Sequence, residues 1–126
     1  MEKETPLLRA MLGGVLHELD DDPLGTLSAA GIKGTPSDEC GCPVAKYVVK
    51  RLSDMYDTAR TGRTVDAAIM YDRAEVWVRD ANGRTFDTAT LDGPRYQGTG
   101  ACAFARRFDQ SAHADPQDNP YAALIG

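Results

Sequence analysis

Residues 64–91, TVDAAIMYDRAEVWVRDANGRTFDTATL, decide which fold this chain can adopt. Apolar and polar side chains alternate along three runs, 64–71, 74–80 and 84–91, and this period of two is typical of strands that bury one face. Short polar turns at Asp72-Arg73 and Asn82-Gly83 separate the runs, and Asn-Gly is a strong signal for a two-residue hairpin. The stretch therefore predicts a three-stranded antiparallel meander.

The two turns also predict which residues of neighbouring strands face each other. The expected pairs are Ile69 with Val76, Asp66 with Arg79, Trp77 with Thr88, Val78 with Asp87, and Arg79 with Phe86. One face of the sheet is then apolar, with Val65, Ala67, Ile69, Val76, Val78, Ala89 and Leu91. Asp87 falls on this apolar face, and a β-bulge just before it would remove the conflict.

Helical patterns flank the meander at about 6–19, 23–30, 43–55 and 99–110. In the first, third and fourth of these segments apolar residues recur every three or four positions, which predicts amphipathic helices. Segregated helices and strands predict the α+β class, with the first, third and fourth helices as candidates to cover the apolar sheet face. A chain of 126 residues fits one domain, 1–126, with a flexible or loosely docked tail from about 111.

Composition narrows the range of functions. The net charge of −5 and the pI of about 4.9 disfavour general binding to phosphate backbones. No apolar run approaches the roughly 18 residues that span a bilayer, and the N-terminal segment lacks the pattern of a signal peptide. Three cysteines are too few for a disulfide scaffold, so we expect a cytoplasmic protein that has no membrane partner.

The second face of the meander mixes aromatic, sulfur-containing and charged side chains. Met70, Trp77, Arg79 and Phe86 are expected to share it, and such a composition is enriched at protein–protein interfaces. If no helix or C-terminal segment covers this face, it would bind a protein partner or pair two copies into a homodimer. The exposed side of the third helix, with Lys46 and Lys50, is a second candidate contact surface.

The segment D-E-C-G-C-P, residues 38–43, carries two of the three cysteines. Cys40 and Cys42 could bind zinc together with Cys102 and His17, although the sequence lacks the second closely spaced pair of ligands that structural zinc sites usually have. They could also form a redox-active dithiol, because Cys42 is the expected N-cap of the third helix and a helix N-terminus lowers a thiol pKa. The third interpretation is that they are buried cysteines around a glycine turn. The sequence leaves these three alternatives open.

Two neighbouring helices, 23–30 and 43–55, also raise the question of a helix-turn-helix. The linker between them, residues 31–42, is far longer than the usual three- or four-residue turn. Lys46, Lys50 and Arg51 form only a modest basic face. A weak DNA-binding regulator therefore stays as an alternative, and nucleic acid is not the expected partner.

Three short motifs carry a resemblance. C-P-V-A-K-Y-V at 42–48, F-A-R-R-F-D at 104–109 and the ending P-Y-A-A-L-I at 120–125 resemble small acidic proteins of actinobacteria and their phages. This chain departs from their pattern by a longer segment at 110–119. The resemblance implies a host group and no particular activity.

The sequence thus contains no constellation that predicts catalysis. We expect a small cytosolic protein-interaction or regulatory module that is not an enzyme and needs no cofactor, with zinc as the alternative.

Overall fold

The computed structural model describes residues 6–36, 38–111 and 119–125. Its elements are α1 (Pro6–His17), α2 (Pro23–Ala29), α3 (Pro43–Met55), α4 (Thr58–Thr61), β1 (Thr64–Ile69), β2 (Arg73–Arg79), β3 (Thr85–Asp92), α5 (Gly93–Gln97) and α6 (Gly100–Gln110), followed by a 3₁₀ turn at Ala122–Leu124. Helices together with one antiparallel sheet confirm the α+β class. The short helices α4 and α5 were not predicted.

The three strands form a meander in the order β1-β2-β3. Helix α3 packs on β1 and helix α1 packs on β3, and together they bury the apolar face of the sheet. Helix α6 packs instead mainly against α1, α2, α3 and α5, so the expectation that it covers the sheet needs correction. Three strands spaced about 4.8 Å apart offer a width of roughly 14 Å, which two helices about 10 Å in diameter already fill.

The register between β1 and β2 differs from the prediction by two residues. Ile69 pairs with Ala74 and Asp66 pairs with Trp77, because the tight turn lies at Tyr71–Asp72. The Met70 N–H donates to the Arg73 carbonyl at 2.8 Å and closes this turn. A slip of two residues leaves every side chain on its expected face, since side chains alternate with period two.

The connection between β2 and β3 is a three-residue loop, 81–83, where the sequence predicted a two-residue turn. The Asp80 carboxylate accepts hydrogen bonds from the N–H groups of Asn82 and Arg84, at 2.9 and 3.0 Å, and Gly83 has a φ of 82°. Arg79 therefore pairs with Thr85, and the predicted pair of Arg79 with Phe86 is wrong. The register shifts between Val78 and Arg79, with Phe86 as the additional residue, and the expected pairs of Trp77 with Thr88 and Val78 with Asp87 follow.

The irregularity before Asp87 does not remove this carboxylate from the apolar face. Asp87 stays opposite Val78, and the hydroxyl of Tyr56, just after α3, donates to its Oδ2 at 3.1 Å. Burial, together with the nearby Asp87 carboxylate, raises the pKa of Tyr56 to about 12. The conflict in the sequence pattern is thus resolved by a hydrogen bond from Tyr56, whereas the prediction relied on the bulge alone.

The C-terminal segment 119–125 docks on the helical side of the molecule. Leu124 is buried, its carbonyl accepts the Gly34 N–H at 2.6 Å, and Ile125 forms an isolated parallel bridge with Gly34. The Tyr121 ring contacts the Phe104 ring edge-on, with 5.2 Å between centroids. Much of the predicted flexible tail, residues 112–118, lies outside the described residues.

Candidate functional site

The sheet face that points away from α1 and α3 carries an open concavity of about 430 Å³. We call this surface the outer sheet face. All residues that line the concavity belong to β2 and β3: Glu75, Val76, Trp77, Arg79, Thr85, Thr88, Ala89 and Thr90. Because the described helices contribute nothing to this lining, a partner could reach the concavity directly from solvent.

Trp77 stands at the centre of the outer sheet face, in the middle of β2, and is partly exposed. The alternation along β2 places Glu75 two residues before it and Arg79 two residues after it on the same face. The Arg79 guanidinium lies 6.0 Å from the centroid of the Trp77 ring, at the outer limit of a cation–π contact. An aromatic ring is therefore flanked by one negative and one positive side chain along the same strand.

Two ion pairs balance the charge of the outer sheet face. Arg79 contacts the Asp66 carboxylate of β1 at 2.5 Å, and Arg73 contacts the Glu75 carboxylate at 2.7 Å. These side chains are roughly one third to one half exposed, so each pair stabilises the fold only weakly. Their effect is to hold the charged groups in place around Trp77.

The structure divides the predicted patch of Met70, Trp77, Arg79 and Phe86. Trp77 and Arg79 lie together, but Phe86 occupies the irregular position in β3 and its ring lies 4.9 Å beneath the guanidinium carbon of Arg63. Met70 lies beyond the end of β1, where its carbonyl accepts the Tyr96 hydroxyl at 2.9 Å. Neither Met70 nor Phe86 lines the concavity.

The other predicted contact surface, on α3, is separate from the outer sheet face. Lys46 and Lys50 are exposed on α3, which packs on the opposite face of the sheet. The Lys50 ammonium donates to the Ala30 carbonyl at 3.1 Å and so bridges α3 to the end of α2. The two candidate surfaces therefore cannot form one continuous interface.

The three cysteines lie in two different environments, and all three are free thiols. Cys40 is exposed, whereas Cys42 and Cys102 are buried. Cys42 is the N-cap of α3, as expected, and its Sγ accepts the Ala45 N–H at 3.4 Å. Burial nevertheless raises the pKa of Cys42 to about 11, so desolvation outweighs the helix N-terminus that was expected to lower it.

Cys102 folds back towards Cys42 through a residue that the sequence did not single out. Tyr96 is fully buried on α5, and both the Cys102 and the Cys42 thiols lie near enough to its hydroxyl to influence its pKa. Burial, reinforced by these thiols, raises the pKa of Tyr96. Cys40 shares none of this environment, because the Asp38 carboxylate accepts its N–H in an exposed turn.

His17 lies apart from the cysteines on the surface of α1. Its side chain is 83% exposed, and Nδ1 contacts the Asp20 carboxylate at 2.6 Å. Across residues 6–36, 38–111 and 119–125, no three His, Cys, Asp or Glu side chains are grouped so that they could hold a metal ion. No helix within the same ranges is long and apolar enough to cross a membrane.

Comparison of the chain with protein-family models, with curated proteins and with solved structures finds no match. The geometry of the chain is therefore the ground for any functional assignment. Sequence reasoning placed Trp77 and Arg79 on one face and paired Trp77 with Thr88, but it missed Thr85 and Tyr96. Thr85 was missed because the loop length was wrong, and Tyr96 because α5 has too few residues to show a helical period.

Proposed function

We propose that this chain is a non-catalytic protein-interaction module whose contact surface is the outer sheet face around Trp77. The observation that carries the proposal is the open concavity of about 430 Å³ beside a partly exposed tryptophan, lined only by strand residues. Tryptophan is highly buried on average in folded proteins, and Trp77 lies on the face that the described helices leave open.

The chemistry of the face fits the binding of a protein. Tryptophan and arginine are the residues most enriched among the side chains that dominate binding energy, and they act best near the centre of a contact. Trp77 and Arg79 hold that position here, while threonines and ion-paired charges surround them. A concavity of this volume is large enough to receive one or two partner side chains.

The thiol and histidine groups support binding rather than catalysis. A buried thiol whose pKa is raised to about 11 is protonated at neutral pH and is a poor nucleophile. His17 is solvated and held by Asp20 alone among the contacts of the described residues.

The absence of any disulfide among the three cysteines supports a cytoplasmic location, and the resemblance noted above supports an actinobacterial or phage setting.

A differential capture experiment tests this proposal. The wild-type chain, a Trp77→Thr variant and a Lys46→Glu/Lys50→Glu variant are immobilised and exposed to lysate of the source organism, or to more of the same purified chain. Threonine suits a strand and matches the neighbouring Thr88, so the variant is expected to keep its fold, which circular dichroism checks.

We expect any protein that binds the wild-type chain to bind the lysine variant and to be lost on Trp77→Thr. The interaction is then rebuilt from purified components and followed by the fluorescence of Trp77, the only tryptophan of the chain. If binding survives Trp77→Thr, or if it depends on the lysines alone, the outer sheet face is not the contact surface. If neither lysate nor purified chain binds, the proposed function is wrong.

A further inference from the structure

We infer that the partner of the outer sheet face is a second copy of this chain, so that two sheets pack face to face across a two-fold axis. This inference rests on the proposed function and names its partner. What carries it is the order of charges along β2, where Glu75 and Arg79 lie at equal distances on either side of Trp77 and have opposite signs.

The symmetry of a dimer makes this order meaningful. In a two-fold interface residue i of one copy contacts residue j of the other, and residue j contacts residue i in return. If the axis runs between the sheets, perpendicular to β2 at Trp77, the two β2 strands run antiparallel. Trp77 then faces its own copy, and Glu75 faces Arg79 of the second copy on both sides of the axis.

The neighbouring strands agree with the same axis. On β3, Thr88 lies beside Trp77, and Thr90 and Thr85 lie beside Glu75 and Arg79. The axis brings Thr88 against Thr88, and Thr85 against Thr90 of the second copy, so the row contains no unpaired charge. On β1, Asp66 would meet its own copy, but each Asp66 is already neutralised by Arg79 within its chain.

Packed sheets are about 10 Å apart, with strand directions within about 30° of each other, and the aromatic rings would fill the space between them.

The area that such a dimer would bury is small. Three strands and the seven residues of β2 give the outer sheet face an outline area of roughly 340 Å² per copy, against about 800 Å² in a standard stable interface. The dimer should therefore be weak, and its detection needs protein concentrations up to about 1 mM.

A charge-exchange experiment tests the pairing of Glu75 with Arg79. Two variants are prepared, Glu75→Arg and Arg79→Glu, and their sedimentation is measured alone and as an equal mixture, from about 10 μM to about 1 mM. Each variant alone places like charges opposite each other, and we expect its dimer to weaken at least tenfold. In the mixed dimer each arginine at positions 75 and 79 faces a glutamate, and we expect most of the lost affinity to return. Recovery should stop short of the wild-type affinity, because Arg79→Glu removes the partner of Asp66 in one copy.

Arg107→Glu is the matched control, because it makes the same charge change at an exposed position on α6 and should dimerise like the wild-type chain. Circular dichroism confirms that each variant folds. The inference is overturned if the wild-type chain stays monomeric at about 1 mM, if either single variant dimerises normally, or if the mixture does not recover. The proposed function survives that result when a different protein binds in a Trp77-dependent manner, so the two failures are distinguishable.

Discussion

Replacing the glycine pair of α1 by alanine should stabilise this protein. Gly13 and Gly14 lie inside α1, where each glycine costs about 0.8–1.0 kcal/mol of helix stability relative to alanine. A glycine pair inside a helix can be explained by the close approach of another backbone, which only glycine allows. The structure shows no close approach of another backbone, because a Cβ on Gly14 would meet no atom within 4 Å and a Cβ on Gly13 would meet only Leu91 Cδ1 at 3.7 Å.

The magnitude follows from these contacts. We expect Gly14→Ala to raise the free energy of unfolding by about 0.9 kcal/mol, and the double variant by about 1.8 kcal/mol. An unfolding entropy of about 2.1 cal/mol/K per residue over 126 residues corresponds to a shift in Tm of roughly 4 °C for each kcal/mol. The double variant should therefore melt about 7 °C higher, and urea unfolding should show an unchanged m-value.

Gly34→Ala is the matched control, because the same methyl group would lie 2.5 Å from the Pro43 nitrogen and 2.7 Å from the Gly41 carbonyl oxygen. Backbone atoms cannot give way cheaply, so we expect a loss of about 2 kcal/mol or more. Thermal unfolding followed by circular dichroism measures all three variants. If Gly14→Ala lowers Tm, the side of α1 at Gly14 is not open, and the reasoning is refuted.

Three further predictions concern the polar groups of the fold. With an aromatic disulfide reagent we expect one thiol, Cys40, to react quickly and two to react only on unfolding; fast reaction in Cys40→Ser would contradict this placement. Tyr56→Phe should lower the free energy of unfolding in urea by about 1–2 kcal/mol, because Asp87 loses a hydrogen bond at the apolar face, whereas exposed Tyr71→Phe should change it little. Glu18→Gln should cost less than about 1 kcal/mol, since solvent screens a pair that is about one third exposed. Arg51 lowers the pKa of Glu18, so this contribution to stability is present above pH 4.5 and is lost as the pH falls through the lowered pKa. The difference in the free energy of unfolding between the wild type and Glu18→Gln should therefore disappear when both are unfolded in urea at acid pH.

The faces of the sheet were predictable from the sequence, but the turns were not. Alternation with period two fixes the face of each residue, and the slip of two residues between β1 and β2 leaves that assignment intact. The loop after β2 adds one residue, and the irregularity at Phe86 compensates for it. Trp77 and Thr88 were therefore paired correctly, although the reasoning from a two-residue turn was wrong.

The same compensation explains which part of the candidate site was predicted. Arg79 and Trp77 lie on one strand, so their common face depends only on β2. Phe86 lies on the next strand, between Thr85, which pairs with Arg79, and Asp87, which pairs with Val78. Its position depends on the hydrogen bonds that the Asp80 carboxylate accepts in the loop. The alternation of apolar and polar residues carries no information about a side chain that accepts hydrogen bonds from its own loop, as Asp80 does. The wrong position of Phe86 therefore could not have been avoided from the sequence pattern.

The segment Asp38–Cys42 contains the cysteine pair that suggested a zinc or redox site, and in the structure it forms a turn that links elements of the fold. The Asp38 carboxylate accepts the N–H groups of Cys40 and Gly41, and a Cβ on Gly41 would lie 2.5 Å from this carboxylate, which explains the glycine. The Glu39 carbonyl accepts the Ile69 N–H at 2.8 Å and so satisfies the end of the edge strand β1. A turn held in this way directs two cysteines that are one residue apart into opposite environments, Cys40 into solvent and Cys42 into the core. These two cysteines, whose spacing suggested a joint site, therefore lie in the turn that leads from α2 into α3 and contacts the end of β1.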